Sequence, residues 1–343
     1  MRKIVLAFIL VIIAAVLSSA EMIPRRDPIR PTHTYSIVAR DAGTGQMGVA
    51  VQSHWFSVGA SVPWIEAGVG AVATQSFIEP SYGPLGLALI KGGKSAKQAL
   101  NALLEADTQK NVRQVAMIDN QGRVAAFTGK SCISEAGQIV GEQFSVQANL
   151  MARNTVWKAM AAAFESTEGD LADRLLESLK AAEKESGDIR GRQSAAIIVV
   201  TGKPTGQPWR DRIVDLRVDD HPSPVKELER LLKLSKAYSH MNKGDEYMAL
   251  EDVEAALREY SAAEQMAPDN VEMIFWHAVT LASLGRVEES LPLFKRVFEA
   301  EKRWAVLLPR LPQSGILPDK PNLLKKILSV APQKDLSPEK RVN

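Results

Sequence analysis

The sequence predicts an α+β layered domain followed by an all-α domain, and three observations carry that prediction. Strand-like and helix-like stretches come in segregated runs, which suits antiparallel sheets covered by helices and not a parallel βαβ winding. The run Ala195-Ala196-Ile197-Ile198-Val199-Val200 has the length of a strand and no polar face, so its sheet must be covered on both sides. From Val225 onward the pattern turns helical and repeats itself at an offset of 34 residues.

Bulk properties agree with a two-domain soluble protein. The chain has 343 residues, 45% hydrophobic and 24% charged, enough for two cores. A formal net charge of +2 with both signs well mixed leaves no footprint for nucleic acid. The single cysteine, Cys132, excludes an intramolecular disulfide and a cysteine-based metal cluster.

The first residues follow a separate logic. Arg2 and Lys3, the apolar run Ile4 to Leu17, and the small residues Ser18-Ser19-Ala20 form the three parts of a secretory signal peptide, expected at 1–20. The apolar run falls short of the about 20 residues a comfortable membrane span needs, so no stable span is expected after cleavage. No cysteine follows the cut, which argues against a lipid anchor, and a lone thiol suits an oxidising compartment. The expected location is therefore periplasmic or extracellular. Residues 21–33, with Pro24, Pro28 and Pro31, read as a linker because each proline removes a backbone donor and steers its predecessor away from helix.

Residues 34–202 carry the layered domain. Tyr35 to Ala39 and Met47 to Val51 read as strands joined at Gly43-Thr44-Gly45. Two small-residue apolar segments follow, Ser57 to Pro63 and Ala67 to Ser76, where backbones should pack closely. Helices are expected at Leu85 to Ile90 and Ser95 to Ala106, the second capped by Ser95. Strands return at Arg113 to Asp119 and Val124 to Thr128 around the turn Asn120-Gln121-Gly122, and again at Phe144 to Leu150. Helices at Thr155 to Glu165 and Leu171 to Glu185 precede the last strand, Ser194 to Thr201.

The stretch 203–224, with Pro204, Pro208, Pro222 and Pro224, reads as a second linker. Beyond it, at 225–330, Gly244, Tyr247, Ala256, Tyr260, Ala263 and Pro268 recur as Ala278, Leu281, Ser290, Phe294, Val297 and Lys302. Small and large residues at these offsets resemble tetratricopeptide repeats, two helices per repeat. Two repeats are few for a stable stack, so the helix Val225 to His240 and the tail from Lys320 should cap it.

Candidate chemistry is sparse. His33, His54, His221, His240 and His277 lack paired ligand spacing, and no metal or other cofactor is expected. There is no G-x-S-x-G elbow, P-loop or G-x-G-x-x-G, and Gly68-Val69-Gly70 opens no helix that would cradle a phosphate. Cys132 reads as a structural thiol, since no base accompanies it. The segment Asp188-Ile189-Arg190-Gly191-Arg192-Gln193 stands at the mouth of the buried strand, where polar groups must be paired or must line a site. Arg190 and Arg192, with Asp188 and Gln193, either clamp a substrate carboxylate or form a structural Asp188–arginine network. Thr34 also admits two readings. A threonine at a strand start follows from β-propensity alone. A free N-terminal threonine would instead combine nucleophile and base, because its α-amino group titrates at about 8 and is partly neutral at pH 7. That chemistry requires the His33–Thr34 bond to be cut.

Five segments together resemble the DUF1028 family over roughly 34–202: Thr34-Tyr35-Ser36-Ile37-Val38-Ala39-Arg40-Asp41, Gly48-Val49-Ala50-Val51, Gly68-Val69-Gly70-Ala71-Val72-Ala73-Thr74-Gln75, Ser81-Tyr82-Gly83-Pro84 and Gly191-Arg192-Gln193-Ser194-Ala195. The resemblance implies a four-layer α-β-β-α sandwich of the Ntn-hydrolase type and hydrolysis of an amide bond in a small or peptide-like substrate. Thr34 would be the nucleophile, with Gln75 and Asn149 as oxyanion donors. Family members often begin with this strand directly after Met or a signal cut; here Glu21 to His33 stand ahead of it, so a second cleavage is required. The alternative is a non-catalytic scaffold whose repeats bind a protein or peptide partner. A cell-wall ligand is a third option, implied by the peptidoglycan-binding modules of some family members.

Overall fold

The computed structural model describes Thr32 and residues 34–332; the expected signal peptide and most of the first linker lie outside the described residues. The chain divides into two compact units between Val225 and Lys226.

The first unit is mixed α+β. Its strands are β1 (Thr34–Arg40), β2 (Met47–Ser53), β3 (Pro63–Glu66), β4 (Gly70–Ser76), β5 (Arg113–Asp119), β6 (Val124–Thr128), β7 (Gly137–Gly141), β8 (Phe144–Ala148), β9 (Ser194–Val200) and β10 (Arg212–Val218). They form a six-stranded sheet in the order β10-β9-β2-β1-β8-β7 and a four-stranded sheet in the order β3-β4-β5-β6. All pairings are antiparallel. Helices α1 (Tyr82–Lys91) and α2 (Ala96–Ala106) sit between β4 and β5; α3 (Val156–Ser166) and α4 (Leu171–Lys184) sit between β8 and β9.

Alternation along the strands explains the layering. Val38, Val49, Val51, Ala71, Ala73, Ala116 and Ile118 point into one cluster between the two sheets. The opposite face of the four-stranded sheet presents Val72, Val115 and Met117 to Leu87 and Ile90 of α1 and Leu100 of α2. Gly83 lets α1 approach closely: a Cβ there would stand 2.1 Å from Trp64 Cγ. On the other side, a Cβ at Gly48 of β2 would meet Leu175 of α4 at 2.5 Å, and Phe144 of β8 packs on Phe164 of α3 with ring centroids 4.8 Å apart. Each sheet thus carries one helix pair and faces the other sheet. Strand β9 is buried throughout, as its unbroken apolar run requires.

Three edge strands depart from the sequence reading. β3 begins only where the expected apolar segment Ser57 to Pro63 ends. β10 lies inside 203–224, so that stretch is not only a linker: Leu216 pairs with Ile197 and Val218 with Ala195. Val214 and Val218 are buried while Arg212, Asp215 and Arg217 are exposed. An edge strand with one wet face gives a weak apolar signal, and the flanking prolines mask it further. β7, bounded by Gly137 and Gly141, is the other edge and pairs with β8. Ser95 does cap α2, forming a full capping box with Gln98.

The second unit is helical: α5 (Pro224–Ala249), α6 (Val253–Met266), α7 (Val271–Ser283), α8 (Val287–Ala300), α9 (Arg303–Leu307) and α10 (Pro321–Leu328). One uninterrupted helix, α5, contains both the expected cap and the first helix of the first repeat. The repeat positions pack as small against large. A Cβ at Gly244 would stand 2.4 Å from Tyr260, and Ala278 shares a buried cluster with Phe294 and Val297. Gly285 makes the α7–α8 turn with φ +81°. Ile327 of α10 covers the end of that cluster. Among the described residues no helix is long and apolar enough to cross a membrane.

Candidate active site at the start of β1

Thr34 opens a central strand of the six-stranded sheet, between β2 and β8. Ser36 reaches across to Gln75 of β4, so alternation turns Thr34 and Ser36 toward the four-stranded sheet. Thr34 is fully buried. Its Oγ1 donates to the Thr32 carbonyl at 2.8 Å. Thr32 itself bridges to Ser76 at the exit of β4, donating at 2.7 Å and accepting at 3.0 Å.

Around Thr34 the two sheets share a buried network of amides. Gln75 Nε2 donates to the Thr34 carbonyl at 3.2 Å and to Gln114 Oε1 at 2.7 Å. The Asn149 backbone N–H donates to the same carbonyl at 3.1 Å, and its side chain donates to Gln114 Oε1 at 2.8 Å. Gln114 Nε2 donates in turn to the Ala148 carbonyl and to Thr128 Oγ1. Gln147 Nε2 donates to Ser36 Oγ at 2.6 Å, and Ser36 Oγ to Gln75 Oε1 at 2.6 Å. Thr34, Gln75 and Asn149, picked from distant parts of the sequence, therefore converge. Gln114, Gln147 and Ser36 complete the set; their signal was a polar residue recurring inside otherwise apolar strands.

The polar segment before β9 resolves as a network of ion pairs and hydrogen bonds. Asp188 Oδ1 accepts from the Arg190 backbone N–H at 2.9 Å and from Nε at 3.0 Å; Oδ2 accepts from Nη2 at 2.7 Å and from the His54 backbone N–H at 3.1 Å. Asp188 thereby ties the loop to the exit of β2. Arg192 pairs with Glu183 of α4, which also accepts from the Tyr35 hydroxyl at 2.7 Å. Burial first, and the Glu183 carboxylate second, push the Tyr35 phenol well above its ordinary range. Gln193 Nε2 donates to Asp220 at 3.3 Å. Tyr35 and Glu183 lie on the helix-covered face of the sheet, whereas Thr34 faces the opposite sheet. The loop and Thr34 share one end of the sheet but not one face.

His54 stands beside this site. It follows Ser53, the register partner of Thr34, and its Nδ1 is buried with no hydrogen-bond partner. Cys132 Sγ donates to the Arg113 carbonyl, and burial pushes its thiol up, which keeps it protonated at neutral pH. Among the described residues no three His, Cys, Asp or Glu side chains gather to hold a metal ion.

In the helical unit, α5, α6 and α7 enclose a cavity of about 540 Å³ with Tyr238, Met241, Asp245, Tyr260, Met273 and Trp276 in its walls.

Two facing antiparallel sheets with a helix pair on each, followed by helical repeats, define the class. The chain belongs to the family of unknown function DUF1028, whose model matches residues 34–228. A crystal structure of a DUF1028 protein from Silicibacter pomeroyi is similar to it, with 30% sequence identity and a TM-score of 0.52, covering 59% of this chain and 88% of that one. A segment of 76 residues is 41% identical to Tetratricopeptide repeat protein 8 of Caenorhabditis elegans, covering 22% of this chain and 13% of that protein. The first unit is thus the family domain.

Proposed function

We propose that this protein is an exported amidohydrolase of the N-terminal-nucleophile type, and that the layered unit is an Ntn-type sandwich. One observation carries the reading. Thr34 heads a central strand, fully buried between the two sheets, with the amides of Gln75 and Asn149 gathered at its carbonyl. In the uncut chain the Thr34 hydroxyl is engaged by the Thr32 carbonyl. Cutting His33–Thr34 creates the α-amine.

In the processed protein the amine takes the proton of Thr34 Oγ1 as the oxygen attacks a substrate amide carbon. The side-chain amides of Gln75 and Asn149, which in the uncut chain donate to the Thr34 carbonyl and to Gln114, are the donors assigned to the oxygen on which negative charge develops. The amine returns its proton to the leaving nitrogen, and water hydrolyses the resulting ester. Arg192, ion-paired with Glu183 on the helix-covered face, takes no part in this mechanism. Asp188 and Arg190 hold the loop.

Intact-mass measurement of protein recovered from the exporting cell tests the reading: mature chains should begin at Thr34. A mature chain beginning at Glu21, with no hydrolysis across an amide library, overturns it.

A second reading rests on the cavity in the helical unit. Its methionines and aromatics, beside Asp245 and Glu272, fit an apolar peptide segment bearing basic residues, so the repeats would recruit a protein partner. Loss of partner binding on Trp276→Ala, with the layered unit intact, is the expected result.

A further inference from the structure

The ends of the sheets opposite Thr34 carry a second site. About 20 Å of extended chain separates Thr34 from Arg40 at the far end of β1. There the β1–β2 turn, the loop after β9 and the turns at Gly68 and Asn120 surround a cavity of about 490 Å³. Two cations line it, Arg40 and Lys203, and no aspartate or glutamate does. Among the described residues neither cation has a carboxylate partner. Arg40 Nη1 donates to the neutral Gln143 side chain, while its Nε is buried without a partner. Its Nη2 edge lies beside Gly45 at the cavity wall, where an oxyanion would give the guanidinium the charge partner that the neutral Gln143 does not.

The neighbouring acid is turned to other work. Asp41 Oδ1 accepts from the Thr44 N–H and hydroxyl, both at 2.7 Å, and Oδ2 stands 3.6 Å from Arg174. Glycines keep the floor open. Gly45, with φ +74°, lies beside the guanidinium: a Cβ there would stand 3.7 Å from Arg40 Nη2. The volume suits a small molecule rather than a polymer.

We infer that this cavity binds a small oxyanion, a phosphate or a compact dicarboxylate, between Arg40 and Lys203. It is independent of the Thr34 chemistry and stands whether or not that chemistry does.

Calorimetric titration of the purified protein at low salt with inorganic phosphate, and separately with malonate, tests the inference and tells the two anions apart. The expected result is saturable one-site binding of one of them, weakened about tenfold by Lys203→Gln and at least as much by Arg40→Gln. Lys203 is exposed, so its replacement leaves the fold intact and decides the matter even if Arg40→Gln unfolds. Lys110→Gln, an exposed cation just before β5 at the Thr34 end of the sheets, should leave binding unchanged. Absence of saturation with both anions overturns the proposal, as does equal weakening by Lys110→Gln, which would mark a general charge effect.

Discussion

Gln114 is the residue on which the interior of the candidate site depends. It accepts from Gln75 and Asn149 and donates to Thr128 and the Ala148 carbonyl, all inside the protein. Gln114→Ala leaves several of these groups buried and unpaired, at a cost of about 3 kcal/mol in a urea unfolding titration. Replacement of Thr34 separates chemistry from stability. Thr34→Ala should abolish amide hydrolysis and, if the cut is autocatalytic, leave the precursor at full mass. Retained hydrolysis would remove Thr34 from the mechanism. At Cys132 the raised thiol range predicts slow alkylation at pH 7 in the folded protein and fast alkylation once unfolded.

At the scale of elements, Asp107 fastens three of them. Its carboxylate, at the end of α2, accepts from Arg113 of β5 at 2.9 Å and from the Tyr82 hydroxyl of α1 at 3.1 Å. Burial opposes its charge, but the bonds from Arg113 and the Gln109 N–H outweigh that and set its range below the ordinary one. A depressed carboxylate contributes stability above its unfolded value of about 3.9, and that contribution disappears as pH falls through the lower folded value. The layered unit should therefore lose stability below about pH 4. Asp107→Asn should lower stability at pH 7 and flatten that acid loss. The α1–β3 contact gives a second test. Gly83→Ala drives a methyl into Trp64, whose Nε1 is fixed on the Ser61 carbonyl at 3.0 Å. Overpacking of this kind costs about 2 kcal/mol, read from the urea midpoint. No change would mean that Trp64 moves freely.

For the whole molecule, two compact units with separate apolar clusters predict two transitions in scanning calorimetry. The Silicibacter pomeroyi structure matches this chain over 88% of its own length, as expected of a family domain that stands without the repeats. A fragment of residues 34–225 should therefore keep the transition of the layered unit. Its loss of cooperative unfolding would show that the helical unit is needed to hold the sheets.

By itself the sequence determined the antiparallel layered class, the repeat offset, the Ser95 cap and the strands β1, β2, β5, β6, β8 and β9. Each depends on local periodicity or on a run with no polar face, and both can be read along the chain. Tertiary structure decided the rest. β7 and β10 became strands because β8 and β9 offered them free edges, which no pattern within Gly137–Gly141 or Arg212–Val218 announces. The site divides in the same way. Thr34 stood out by its place at the head of a strand, and Gln75 and Asn149 through the family resemblance. Gln114 acquired its role only when β5 was laid between β4 and β6 and both sheets were closed on each other. The arginines before β9 were legible as polar groups needing partners. Asp188 as one partner was among the alternatives the sequence offered; Glu183 as the partner of Arg192, and the face on which the pair lies, depended on the packing of α4 against the sheet, since burial compels pairing but only the fold supplies the pair.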